Sequence, residues 1–340
     1  MHSSWLHQPI KTPCASTAKA AHDQFSNLSG PPGALGVLAE IAERMAAMQK
    51  RLDPSADPCQ LTLFAADHGI SAAGISGMLP QQSSAFVRNC LNGTSASAVM
   101  CQSLGIRYEV VDVGLIHDLG PLPGLIRNRA GHGTADFRQT SAMSEHQLAT
   151  ALNAGRSAVE RAVEAGVRIF IGGELGSGKT TSAGALACAL LGMPPETVAG
   201  PGSGINAELM TLKATAIQDA VNHHQRFFSM PLDVLRRLGG FEIAALCGAY
   251  VACGQLGIVA IVDGFCASVA ALLAITIHPP LKPWLFFGHR SAEPGQYAIF
   301  RSLEVQPLLN LDMRLGEGTG ALAALPLLRT ACALMQTRPA

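Results

Sequence analysis

The chain has 340 residues, 48% of them hydrophobic and only 14% charged, which excludes a disordered or low-complexity protein, since such a chain cannot bury enough apolar surface to order itself. Lys and Arg together number 24 and so do Asp and Glu, for a formal net charge of zero, which argues against a general nucleic-acid binder, an acidic tail or a basic membrane-surface protein. At roughly 150 residues per domain the length allows about two domains.

Five short apolar runs each end in a small polar cluster containing glycine. In chain order these are Leu61–Ala66 before Asp67-His68-Gly69, Tyr108–Val111 before Asp112-Val113-Gly114, Val167–Ile171 before Gly172-Gly173-Glu174, Ile258–Val262 before Asp263-Gly264, and Trp284–Phe287 before Gly288-His289-Arg290. Continuous apolar runs separated by helix-length segments describe parallel strands buried on both faces by crossover helices. The expected fold class is α/β, and in such sheets ligands bind beyond the carboxyl ends of the strands, where these polar clusters fall.

Helices are expected near 33–51, 84–104, 144–165, 180–191, 206–228, 231–254, 264–276 and 318–335, the third opened by a capping box at Ser144–Gln147 and stopped by Gly166. Residues 115–141, rich in Gly, Pro and Arg, read as a long loop. The stretch from Ile243 to Pro280 carries Asp263 as its one formal charge, but its glycines break it into helix, buried strand and helix, so no membrane span is expected. Nine scattered cysteines with no Cys-x-x-Cys pair look like small buried hydrophobes in a reducing compartment, and the opening MHSSWLHQPIKTPC has no apolar signal core, which together point to the cytoplasm.

Three segments carry possible chemistry. Gly173–Thr180 matches the phosphate-binding pattern G-x-x-x-x-G-K-[ST] after a strand and at the opening of a helix. Its amides and helix N-terminus would face phosphate oxygens, with Lys179 adding a point charge, as in a P-loop nucleoside-triphosphate kinase or hydrolase. The bland alternative is a glycine turn needed only for packing. Gly200-Pro201-Gly202-Ser203-Gly204, followed by Lys213, can present a second set of amides to an anion at a strand-helix crossing, or be a flexible turn with a solvated lysine. In Asp312–Gly320, Glu317 stands between Gly316 and Gly318. The lack of neighbouring side chains permits close approach by a flat substrate, which suits a general base, although an acid favoured by the helix dipole fits the same position.

Read together, ADHG at 66–69, GGELGSGKTT at 172–181, GPGSG at 200–204 with Lys213, LGGFEIAALCGA at 238–249, IVDGF at 261–265, GHRSAEPG at 288–295 and RLGEGTGALAALP at 314–326 resemble the nicotinate-nucleotide:dimethylbenzimidazole phosphoribosyltransferase family. The resemblance covers nearly all of the chain from about Pro31 onward. It implies a homodimer with a Rossmann-like parallel core at 59–303 and a small helical domain made from 1–58 and 304–340. It implies transfer of the 5-phosphoribosyl group of nicotinate mononucleotide to 5,6-dimethylbenzimidazole or a related base in assembly of the cobalamin nucleotide loop, with no cofactor and no metal. By the same resemblance Glu317 matches the general base and Glu174 a second carboxylate near the site. The phosphate falls to Gly176, Ser177, Gly178, Gly202, Ser203, Gly204 and Lys213, with Ser291, Arg314 and Leu315 around the site. Family members usually carry Asn where this chain has Lys179, which leaves the P-loop enzyme as the alternative. Met78 and Phe86 stand where family members carry Ser and Gln beside the aromatic base, although a one-residue shift would bring Gln82 or Ser83 there instead.

Overall fold

The computed structural model describes residues 4–26, 31, 33–202 and 204–336. Six parallel strands form the central sheet: β1 (Cys59–Ala66), β2 (Arg107–Gly114), β3 (Leu125–Arg127), β4 (Ile169–Leu175), β5 (Val259–Val262) and β6 (Leu285–Phe287). Their order across the sheet is β3-β2-β1-β4-β5-β6. The chain thus winds outward in one direction from β1 and in the other from β4, and the two neighbours diverge at a crevice between their carboxyl ends, where doubly wound sheets bind ligands. A separate two-stranded parallel pair joins His289–Arg290 to Leu309–Asn310.

All residues of β1, β4, β5 and β6 are buried, as continuous apolar runs require when both faces are covered. Successive side chains of a strand point to opposite faces, and β4 shows what covers each. A Cβ built on Gly172 would lie 2.4 Å from Leu246 of helix Phe241–Leu256, whereas one on Gly173 would lie 2.7 Å from the Glu317 backbone. One face therefore carries helix Phe241–Leu256 with helix Glu145–Glu164 stacked on it, and the other receives the chain end and its last helix, Thr319–Met335. Helices Ala15–Ser26 and Val37–Gln49 pack against each other and against Thr319–Met335, so both chain ends meet in one helical cluster. Eight of the nine cysteines are buried, consistent with their use as small apolar side chains.

The structure corrects several expected boundaries. The strand expected to end at Ile171 runs on to Leu175, so Gly172, Gly173 and Glu174 are strand residues. The expected helix at 84–104 is two, Pro80–Leu91 and Ala96–Leu104, because Asn92-Gly93-Thr94 turns and the Ser95 side chain caps the second by accepting from Ala98 N at 3.2 Å. Gly239 and Gly240 likewise divide 231–254 into Pro231–Leu238 and Phe241–Leu256. Within the expected loop at 115–141, Leu125–Arg127 pairs with Val110–Asp112 as an edge strand too short to show a period. Gly200–Gly204 links helix Pro195–Val198 to helix Ala207–His224, so it is no strand-helix crossing. The capping box at Ser144 is present, with Ser144 N donating to Gln147 Oε1 at 2.9 Å and Gln147 N to Ser144 Oγ at 3.2 Å. Among the described residues no helix is long and apolar enough to cross a membrane.

Helices Glu145–Glu164 and Phe241–Leu256 approach through small residues. A Cβ built on Gly155 would lie 1.8 Å from the Ala245 carbonyl oxygen, so the backbones must separate to admit even a methyl group. Gly155→Ala is expected to destabilise the fold by about 3 kcal/mol, the upper end of overpacking costs, despite alanine's better helix propensity. The check is the urea midpoint at unchanged m-value, and an unaltered midpoint would refute the close approach.

Candidate active site

The crevice between β1 and β4 is assembled by carboxylates at strand ends. Asp67, directly after β1, is fully buried and accepts from Ser177 N at 2.9 Å, Ser83 Oγ at 2.6 Å and Ile116 N at 3.0 Å. One side chain thereby ties the loop after β4 to helix Pro80–Leu91 and to the chain leaving β2. Burial pushes its carboxyl above the ordinary range, against the pull of these three donors. The next residue, His68, is buried beside Glu242, with Nε2 and Oε1 2.7 Å apart, and its amide donates to the Ser177 carbonyl at 3.0 Å. The ADHG and LGGFE segments therefore brace the Gly176–Gly178 turn from beneath.

Glu317 reaches the same crevice from the opposite end of the sequence. Asp263, after β5, accepts from Gly318 N at 3.2 Å and from Ala321 N at 2.9 Å, which anchors the first turn of helix Thr319–Met335 where amides lack intrahelical acceptors. The Glu317 amide donates to the Glu174 carbonyl at 3.2 Å. Glu317 adopts φ 60° and Gly316 φ 82°, a left-handed pair that turns the carboxylate back over the sheet. Its Oε2 accepts from Ser97 Oγ at 2.9 Å, and Ser97 Oγ lies 3.0 Å from the Tyr108 hydroxyl. Ser97 and Tyr108 were not foreseen from sequence; the Asn92–Ser95 turn-and-cap signal, which places Ser97 in the first turn of a new helix, was the available clue.

Glu174, the penultimate residue of β4, is 2% exposed and pairs through Oε2 with Lys179 Nζ. Burial pushes its carboxyl up to about 7, with Lys179 pulling against that shift. Further along, Lys213 Nζ donates to Thr180 Oγ1 at 3.0 Å and to the Gly200 carbonyl at 2.8 Å. Burial lowers its pKa while the Glu293 carboxylate opposes the fall. Glu293 Oε1 accepts from Gly202 N at 2.8 Å, and Arg314 Nη1 donates to the Gly202 carbonyl at 3.0 Å.

These groups surround a cavity of about 570 Å³. Of the residues singled out from sequence, it brings together Glu174, Glu317, Gly176, Gly178, Gly202, Ser291, Arg314, Leu315, Met78 and Phe86 on its wall. Ser177 is buried beneath the turn, its amide held by Asp67, Lys213 lies behind Thr180 and Gly200, and Gly204 is exposed away from the wall. Ser203 lies outside the described residues. Gln82 also lines the cavity, with its Oε1 accepting from Leu79 N at 2.7 Å, whereas Ser83 is committed to Asp67. The wall is mixed in character: Met78, Phe86, Leu175 and Leu315 are apolar, Glu174 and Glu317 are acidic, and Thr180, Ser291 and Arg314 carry polar or basic side chains.

A family model described as "Phosphoribosyltransferase" matches residues 10–339. A relative from Xanthomonas axonopodis pv. citri (strain 306), named nicotinate-nucleotide–dimethylbenzimidazole phosphoribosyltransferase, is 45% identical over 98% of this chain and 96% of its own length. A relative of the same name from Pseudomonas aeruginosa is 44% identical over 98% of this chain and 95% of its own. The solved structure of CobT from Thermus thermophilus superimposes with a TM-score of 0.90 at 38% identity, covering 95% of this chain and 96% of that one. The P-loop reading of Gly173–Thr180 is overturned: the family match spans the segment, the Ser177 amide is taken by Asp67, and the lysine is paired with Glu174. The chain belongs to the nicotinate-nucleotide–dimethylbenzimidazole phosphoribosyltransferase family.

Proposed function

We propose that this protein transfers the 5-phosphoribosyl group of nicotinate mononucleotide to 5,6-dimethylbenzimidazole or a related base, giving alpha-ribazole 5′-phosphate and nicotinate. The observation that carries the reading is that two buried carboxylates far apart in the chain, Glu174 and Glu317, line one cavity at the divergence of β1 and β4. The relatives' names supply the substrates.

The chemistry needs few groups. In the nucleotide the pyridine nitrogen is cationic, so when its bond to C1′ breaks the electron pair returns to the ring and nicotinate leaves without protonation. The incoming imidazole forms the new C–N bond and must lose its N–H proton. Glu317 accepts that proton, with Ser97 orienting its Oε2. Glu174 faces the positive charge that develops on the ribosyl ring. Attack opposite the leaving group converts a β-linkage into an α-linkage. The phosphate lies towards Gly176, Gly178 and Gly202, near the N-terminus of helix Lys179–Leu191, where first-turn amides and the dipole favour an anion. Lys213 adds charge from behind Thr180, and Arg314 and Ser291 complete that end.

The helices of the two chain ends act as a small unit that carries Glu317 to the core, and the family reading adds a homodimer working in the cytoplasm. The direct test is incubation with nicotinate mononucleotide and 5,6-dimethylbenzimidazole, following free nicotinate and the α-riboside phosphate. Nucleotide hydrolysis without riboside formation, or no nicotinate at all, would refute the reading.

Glu317→Gln is expected to lower kcat by about 10²–10⁴, the worth of a positioned general base, while leaving nicotinate mononucleotide affinity nearly unchanged. A loss below about threefold in single-turnover assays would remove Glu317 from that role. Met78 and Phe86 make the acceptor end apolar, and an exposed aromatic ring offers a flat base stacking of about 0.5–1.5 kcal/mol in place of a polar contact of similar size. Selectivity should therefore favour apolar or methylated bases and discriminate weakly among them. Phe86→Gln is expected to reorder 5,6-dimethylbenzimidazole, benzimidazole and adenine in competition assays; an unchanged order would show that Phe86 does not contact the base.

A further inference from the structure

Lys179 makes the phosphate-loop pattern of this sequence complete, yet its side chain turns to other partners. Its Nζ donates to Glu174 Oε2 and, at 3.3 Å, to the Glu174 carbonyl. That carbonyl also accepts the Glu317 amide at 3.2 Å. A Cβ built on Gly316 would lie 2.7 Å from Lys179 Nζ and 2.8 Å from Glu174 Oε1. The ammonium therefore sits in the seam between the strand that carries Glu174 and the loop that carries Glu317, close against Gly316, whose φ of 82° itself favours glycine.

The charges around the seam are mostly negative. Asp263 at the end of β5 and Glu242 on helix Phe241–Leu256 act on Glu174 as like charges. Glu317 on the last loop and the Cys266 thiol on helix Phe265–Ile277 face Lys179, and Arg314 lines the cavity beyond. A carboxylate buried among others would be neutral without a cation in contact. Although burial opposes it, the Glu174 carboxylate holds the Lys179 ammonium above the ordinary lysine range, so the lysine stays charged and donates no proton to the chemistry.

We propose that Lys179 is a positioning residue for the transfer, its ammonium favouring the charged form of the Glu174 carboxylate and holding it beside the Gly316–Glu317 loop, so that Glu174 can meet the ribosyl cation as an anion while Glu317 alone takes the proton. This rests on the phosphoribosyl reading above. Removing the ammonium should leave Glu174 protonated near neutral pH; because the anion is the working form, the lost activity should return as the pH rises.

The test has one arm that needs no turnover. Infrared difference titration of the protein against its Glu174→Gln variant reads the proton on Glu174, with a midpoint expected at about 7. In Lys179→Met that midpoint should rise by about 1–3 units, the effect of an opposite charge in contact, and in Lys179→Arg it should stay. The acid limb of kcat/KM for nicotinate release should move the same way, with a loss of about tenfold per unit near neutral pH. The loss should vanish when Lys179→Met is made in the Glu174→Gln background. If Lys179→Met does not fold, Lys179→Gln carries the same comparison. A midpoint that does not move, or a loss that persists undiminished in the Glu174→Gln background, overturns the proposal. If the wild-type protein releases no nicotinate, the phosphoribosyl reading fails, whereas the infrared midpoints still decide whether Lys179 sets the charge on Glu174.

Discussion

The arrangement of the site depends on one buried carboxylate, Asp263. It closes β5 and accepts the amides of Gly318 and Ala321, fastening the N-terminus of the last helix to the sheet. Hydrogen bonds to a charged acceptor contribute about 1.5–3 kcal/mol each, and a carboxylate at a helix N-terminus also gains from the dipole. Together with the Glu317 amide on the Glu174 carbonyl, this anchor holds the Glu317 backbone against Gly173, so that two carboxylates 143 positions apart in sequence share a cavity. The His289 ring lies against Gly320, within 3.7 Å of Asp263 through Nε2, so the GHRSAEPG segment shapes the same junction.

A second layer of support lies under the phosphate-side turn. Asp67 and the His68–Glu242 pair are buried and do not line the cavity, although they belong to the motifs by which the chain resembles its family. Their contribution is placement: Asp67 holds the Ser177 amide, and His68 holds the Ser177 carbonyl through its backbone. In a triphosphate-binding loop that amide would face a phosphate oxygen. Here a protein carboxylate already occupies its donor direction, and the same pattern of residues folds into a different kind of site.

The cavity combines two environments that the proposed reaction needs close together. The helix N-terminus and the polar side chains of the wall suit a phosphate, while Met78, Phe86, Leu175 and Leu315 offer apolar surface to a flat ring. The two carboxylates on the same wall are buried, and charge interactions with a developing cation are stronger there than in water.

The sequence by itself determined five of the six strands, because apolar runs that end in Gly, Asp and His clusters and alternate with helix-length segments describe a buried parallel sheet; the edge strand Leu125–Arg127 was too short to show. The sequence determined the family as well, through motifs spread along the chain. It also marked Glu174, Glu317 and the glycine turns, since those residue types are chemically distinctive. It could not separate the residues that line the cavity from those that brace it: Ser177 and Lys213 share motifs with Gly176 and Gly202 but point inward. Nor could it show Ser97 behind Glu317 or the pairing of Lys179 with Glu174. Hydrophobic periodicity reports which face of an element is buried, and local motifs report turns. Which carboxylate meets which cation is decided by distances between segments far apart in the chain, and only the folded sheet sets those.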